Sequence, residues 1–292
     1  GLMLVGASAM YFVLDFSVAR IGSIATKVIS SSAISWELAA IPIFMWMGDI
    51  IFRTDISQRL FRGLAPMVAR IPGGLLHTNV FGCTVFAAIS GSSTATTATV
   101  GKITIPELQK RGYDLSLASG SLAGAGSFGL LIPPSIAMIV YGVLAEVSIA
   151  KLFAAGLIPG LMMAGLYSAY IALMALIRPA SAPRYEGEIT LRTLAWGAVQ
   201  LLPIMILMVI VLGSIYSGIA TPSEAAAVGV AGAIVITIVT GQFSMTLMRD
   251  SLMNTIRVSA MILMLIAASA FLSAAIAYMH LPNQITEAIA AL

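Results

Sequence analysis

The chain is dominated by apolar stretches long enough to cross a bilayer, with its basic residues gathered in the loops between them. Leu2 to Ala19, Ile34 to Phe52, Leu152 to Ile177, Leu194 to Leu212, Glu224 to Val239 and Val258 to Met279 each come near the about 20 residues an α-helix needs to span hydrocarbon. Only 9% of the 292 residues are charged and the mean hydropathy is +1.01, too apolar for a soluble domain to bury. The expected class is therefore an all-α integral membrane protein of several spans. The net charge of +3 comes from loop residues that set membrane orientation, so no nucleic-acid partner is implied. Cys83, the single cysteine, lies in an apolar run and reads as a buried thiol. The chain opens on apolar residues at Gly1 to Val5 without a signal peptide, and Thr286 to Leu292 has no helix-stop signal. Both ends suggest a fragment.

Basic residues cluster at Arg53 to Arg70, Lys102 to Arg111, Arg178 to Arg192 and Arg249 to Arg257, while Gly213 to Ser223 carries none. Positive-inside reasoning places the clusters in the cytoplasm. Pro72 to Gly101 must then enter the membrane and return on the same side. Its length makes about 45 Å of helix, against about 60 Å for two crossings of a ~30 Å core. A re-entrant helical hairpin fits, and leaves all but Arg20, Lys27 and Lys151 on the cytoplasmic side. A single span over the same residues is the alternative and divides the basic residues less well.

The hairpin's midpoint falls on Ser90-Gly91-Ser92-Ser93-Thr94. Backbone bonds are lost at such a turn, and a non-helical tip at membrane depth persists only against protein or a wet cavity. The plainer reading is close helix packing, with hydroxyls bonded back to carbonyls. A second irregular stretch runs from Gly120 through Gly126 and Gly129 to Pro133-Pro134-Ser135. Prolines there remove donors and free carbonyls near Gly129 and Leu130, breaking the helix. Alternatively, these are a simple proline kink and packing glycines. A hydroxyl tip facing a broken helix would form an oxygen cage for a hard cation.

Neither stretch contains Asp, Glu, Lys or Arg. Proton coupling needs a titratable relay, and His77, near the hairpin's start, is the one candidate; neutral oxygens favour sodium. His77 and His280 read more simply as interfacial or satisfied residues. Thr221-Pro222-Ser223-Glu224 forms a capping-box pattern. Thr104-Ile105-Pro106-Glu107 suggests a second helix start. Asp49 to Arg70 has the pattern of an interfacial amphipathic helix. Arg178 to Arg192 reads as a polar linker, and a faint echo between Leu38 to Leu60 and Leu263 to Ile285 suggests inverted repeats.

The run Phe86 to Thr96, Ile105-Pro106-Glu107-Leu108-Gln109-Lys110-Arg111-Gly112-Tyr113 and Gly129-Leu130-Leu131-Ile132-Pro133-Pro134-Ser135 closely resemble the large membrane subunit of tripartite ATP-independent periplasmic (TRAP) transporters, the DctM-like permeases. Tyr141 to Leu144, Lys151 to Gly160 and Thr221 to Ala227 extend the resemblance over nearly the whole chain. It implies a bacterial inner-membrane, sodium-driven importer of organic acid anions (dicarboxylate, sialic acid or related carboxylates) with inverted-repeat elevator architecture. The implied partners are a small membrane subunit and a periplasmic substrate-binding protein. No organic cofactor is implied, and sodium is the coupling ion.

Carried over onto these residues, sodium would be held by Ser90, Gly91, Ser92, Ser93, Thr94, Gly126, Gly129 and Pro133, and the substrate by Ser92, Ser93, Thr94 and Ser135. The implied domains are scaffold helices with an amphipathic arm over 1–71, a transport hairpin plus broken helix over 72–145, a scaffold helix over 146–177, a cytoplasmic linker over 178–193, and the truncated start of a second repeat over 194–292. A sodium/dicarboxylate or citrate-type symporter without a binding protein is the alternative carrier. An intramembrane serine hydrolase using Ser90, Ser92 or Ser93 lacks an evident activating base, and a non-transporting structural subunit leaves the hydroxyl tip unexplained.

Overall fold

The computed structural model describes residues 1–183 and 190–290, and every regular element among them is helical. The expected linker over 178–193 and the apolar end over 286–292 lie partly outside the described residues. The chain divides into two compact units, one of residues 1–38 with 256–292 and one of Ala39–Thr255.

The first unit holds α1 (Leu2–Phe12), α2 (Val18–Ile34), most of α12 (Met245–Tyr278) and α13 (Leu281–Ala290). Met10, Ile21, Phe271 and Ala275 form its core. The expected single helix from Leu2 to Ala19 is two. Asp15 takes a left-handed φ of 52°, which ends the first helix run, and Ser17 caps the second by accepting from the Arg20 amide at 3.3 Å. Likewise Ile34 to Phe52 is divided: α2 ends at Ile34, and α3 (Ala40–Phe52) follows a short 3-10 turn at Glu37–Ala39. With 13 residues α3 is about 20 Å long, short of a bilayer core.

The second unit is framed by two helix pairs. In one, α3 packs on α11 (Pro222–Val239), where Gly229 gives room to Met47. In the other, α4 (Ile56–Val68) crosses α10 (Leu191–Tyr216) at two glycines. A Cβ on Gly63 would lie 2.7 Å from the Gly197 carbonyl oxygen, and one on Gly197 2.6 Å from that of Gly63. The backbones therefore touch. The Asp49 to Arg70 pattern proves to be the end of α3, a turn and α4, whose Ile56, Leu60, Leu64 and Val68 form one buried stripe. Asn254 donates to Asp49 at 2.8 Å, Trp46 to Ser251 at 3.1 Å, and Gln242 exchanges hydrogen bonds with Asp55, fastening this corner to the start of α12.

Between these pairs run α5 (His77–Ser90), α6 (Ser93–Lys110), α7 (Leu115–Gly126), α8 (Ile136–Leu144) and α9 (Ile149–Ile177). Helix α6 passes straight through Thr104 and Pro106, so no helix starts there. The missing proline donor is tolerated inside the helix, and the next start is at Asp114, which accepts from the Leu117 amide at 2.8 Å. The capping box at Thr221 and Glu224 is present as expected. Among the described residues four helices, α9 to α12, are long and apolar enough to cross a membrane, matching the last four apolar segments of the sequence.

Candidate functional site

Helices α5 and α6 form a hairpin whose turn falls on the hydroxyl-rich run. Gly91 ends α5 in the left-handed region at φ 57°, which residues with a Cβ resist. Ser92 then caps α6, its Oγ accepting from the Ala95 amide at 3.4 Å. The Ser90 hydroxyl sits inside the turn. It accepts from the Ser92 amide at 3.1 Å, approaches the Ser92 carbonyl at 3.2 Å and pairs with Thr96 Oγ1 at 2.8 Å. At the hairpin's foot the Leu75 amide donates to the Tyr113 hydroxyl at 3.2 Å, so the chain leaves beside where it entered.

The second irregular stretch is a broken helix. After α7 a 3-10 turn spans Ser127–Leu130, the Pro133–Pro134 bond is cis, and α8 begins at Ile136. Phe128's carbonyl accepts from both Leu131 and Ile132, at 3.0 and 2.8 Å. The Ser135 hydroxyl, fully buried, donates to the Leu130 carbonyl at 3.0 Å. This spends one lone pair of a carbonyl that the prolines deprived of its helical partner.

The hairpin tip docks on this break. Ile136 donates its amide to the Gly91 carbonyl at 3.3 Å. A Cβ on Gly91 would lie 2.8 Å from the Pro134 carbonyl oxygen, and one on Gly129 2.9 Å from the Ser93 amide nitrogen. Each glycine is thus required by close backbone approach. Ser90, Gly91, Gly129, Pro133 and Ser135 are buried, Ser92 and Ser93 half-buried, and Thr94 exposed. Gly126 belongs to the same contact only indirectly, since it faces the Thr97 side chain rather than the tip.

Several residues not singled out from the sequence complete the site. Thr96 is fully buried against Ser90, and Thr97 donates to the Ser93 carbonyl at 2.9 Å. Asn79, also fully buried, donates to the Ala118 carbonyl at 3.1 Å and to Ser121 Oγ at 2.9 Å, tying α5 to α7. A lone amide in an uncharged segment was the available signal. From the frame, Gly48 of α3 comes against the tip, where a Cβ would lie 3.0 Å from Ser90 Cα. His77 is held at both ring nitrogens, by the Pro72 carbonyl at 2.8 Å and Ser168 Oγ at 2.7 Å, as a satisfied core residue is. Among the described residues no cluster of acidic, histidine or cysteine side chains could hold a metal. The tip offers neutral hydroxyl and carbonyl oxygens instead.

Four long apolar helices among the described residues, in a chain that also folds a hairpin against a broken helix, point to a multi-pass membrane protein. The chain belongs to the family described as "Tripartite ATP-independent periplasmic transporter, DctM component", whose sequence profile matches residues 1–292. It is 39% identical over 227 residues to the C4-dicarboxylate TRAP transporter large permease protein DctM of Pseudomonas aeruginosa, covering 76% of this chain and 51% of that one. It is 36% identical over 255 residues to the ectoine/5-hydroxyectoine TRAP transporter large permease protein UehC of Ruegeria pomeroyi, covering 87% and 59%. The Rhodobacter capsulatus DctM protein is 30% identical over 305 residues, covering 97% and 67%. The chain spans about half the length of the first of these relatives. The family is one of transport permeases rather than enzymes.

Proposed function

We propose that this chain forms one sodium-binding half of a secondary carrier for organic acid anions. The observation that carries the reading is the docking of an uncharged, hydroxyl-rich hairpin tip on a broken helix. Sodium prefers several hard oxygens, and in this reading Ser90 to Thr94 with Gly126, Gly129 and Pro133 supply them as hydroxyls and backbone carbonyls. The absence of Asp, Glu, Lys and Arg from residues 72–101 and 115–144 argues against a proton relay. A carboxylate would dock beside Ser92, Ser93 and Thr94. Ser135, already bonded to Leu130, shapes the break rather than presenting a free hydroxyl.

The 14 residues of α5 reach about 21 Å, less than a bilayer core, which supports a re-entrant hairpin. In this reading the hairpin and broken helix move as an elevator against the frame, in the bacterial inner membrane, with a small membrane subunit and a periplasmic binding protein. The substrate is a dicarboxylate, sialic acid or a related carboxylate. One charge moved through 100 mV supplies about 2.3 kcal/mol, roughly a fortyfold gradient.

The test uses the permease expressed at the full length of its relatives, with its partners. Ser93→Ala and Ser92→Ala should shift the sodium activation of uptake to higher concentration. Because Ser92 also caps α6, Ser92→Gly is the sharper variant: it keeps the cap to within a few tenths of a kcal/mol while removing the hydroxyl. Unchanged sodium activation in all three would sink the assignment.

A further inference from the structure

We propose that the groove between α4, α6 and α10 binds the phosphodiester headgroup of an anionic phospholipid. The groove has a volume of about 690 Å³ and lies away from the hairpin tip and the broken helix. Its cations are Arg62 of α4, Lys102 from the middle of α6, Lys110 at the end of α6 and Arg111, which caps it. The acid lining it is Glu107, which Arg111 holds at 2.8 Å. Arg62, Lys102 and Lys110 are exposed and make no ion pair among the described residues, so the groove carries a net positive charge that nothing in it answers.

The charges are arranged rather than scattered. Lys102, Pro106 and Lys110 follow one another at four-residue spacing, placing both ammonium groups on one face of α6. Arg62 looks onto the same groove from α4, giving a phosphodiester cations from two walls. Pro66 and Pro106 both lie inside their helices and both line the groove. Each deprives the carbonyl four residues earlier of its helical partner, and those carbonyls belong to Arg62 and Lys102. Headgroup hydroxyls could be accepted there, beside the cations that take the phosphate.

The groove also has an apolar ledge. Trp196 of α10, half exposed, stands with Phe61 and Ala65 along its wall. An indole beside basic side chains marks the headgroup level of a membrane protein. An acyl chain can lie on such a ledge, whereas free phosphate has no use for one, and this decides for lipid. The basic loops place the groove at the cytoplasmic leaflet, whose anionic lipids attract such clusters. A bound headgroup would bridge the α4–α10 pair to the hairpin's outer end. None of these residues belongs to the sodium assignment, so the two proposals fail separately.

The test reconstitutes the full-length permease in nanodiscs with Trp196 as its one tryptophan, the others replaced by phenylalanine. Brominated phosphatidylglycerol should quench Trp196 at mole fractions where brominated phosphatidylcholine does not. Removing each of Arg62, Lys102 and Lys110 as glutamine should weaken that preference about fivefold. The triple variant should abolish it, while Arg249→Gln, outside the groove, should leave it intact. Equal quenching by both lipids, or competition by millimolar inorganic phosphate, would overturn the assignment. Native mass spectrometry of the unaltered protein reads the same preference without variants: retained phosphatidylglycerol supports the site, and indifference between the lipids refutes it.

Discussion

Gly91 illustrates how much of the tip rests on single residues. Its φ of 57° and its 2.8 Å approach to the Pro134 carbonyl mean that a methyl group meets both backbone strain and a steric obstacle. Gly91→Ala should therefore cost at least about 1–2 kcal/mol and, in a chain of this size, lower the melting temperature of the purified protein by roughly 2–3 °C. An unchanged melting curve would mean the tip does not hold this conformation. The hydroxyl-rich run was legible in the sequence because uncharged polar residues stand out in an apolar chain. The direction of each hydroxyl was not. Ser90 turns inward to Thr96, and Ser135 turns back to Leu130, because turn geometry and the double proline decide which carbonyl lies within reach. Residue type alone carries no such information.

At the scale of elements, hydropathy located the last four long apolar helices among the described residues, but it misjudged the N-terminal third. Apolar composition runs on across Asp15 and Ser17, and only the left-handed backbone at one and the capping hydroxyl of the other divide α1 from α2. Pro106 misled in the opposite sense: a threonine three residues before a glutamate, with a proline between them, resembles a helix start, yet α6 carries Thr104 to Glu107 in its interior. Contacts between elements were invisible beforehand, and Gly48 is the one with most consequence. It allows α3 to lie on the hairpin tip, so Gly48→Val should displace Ser90 and slow uptake at saturating sodium. Tip variants such as Ser93→Ala, in contrast, should change the sodium concentration required. Uptake kinetics across a sodium titration separate the two, and identical profiles would argue against distinct roles.

For the whole molecule, a ligand that binds only the folded state raises stability by an amount set by its concentration. At about 100 times its dissociation constant sodium should add about 2.7 kcal/mol to the full-length permease. Melting in sodium against potassium at equal ionic strength checks this, and identical curves would count against sodium binding. The docking of the tip also supplies an internal clock. The Ile136 amide opens to solvent only when its bond to the Gly91 carbonyl is released, so its deuterium uptake measures how often the hairpin parts from the broken helix. If the tip binds sodium as proposed, sodium should slow that single amide without slowing the amides of α10, making one backbone proton a readout of the docked tip.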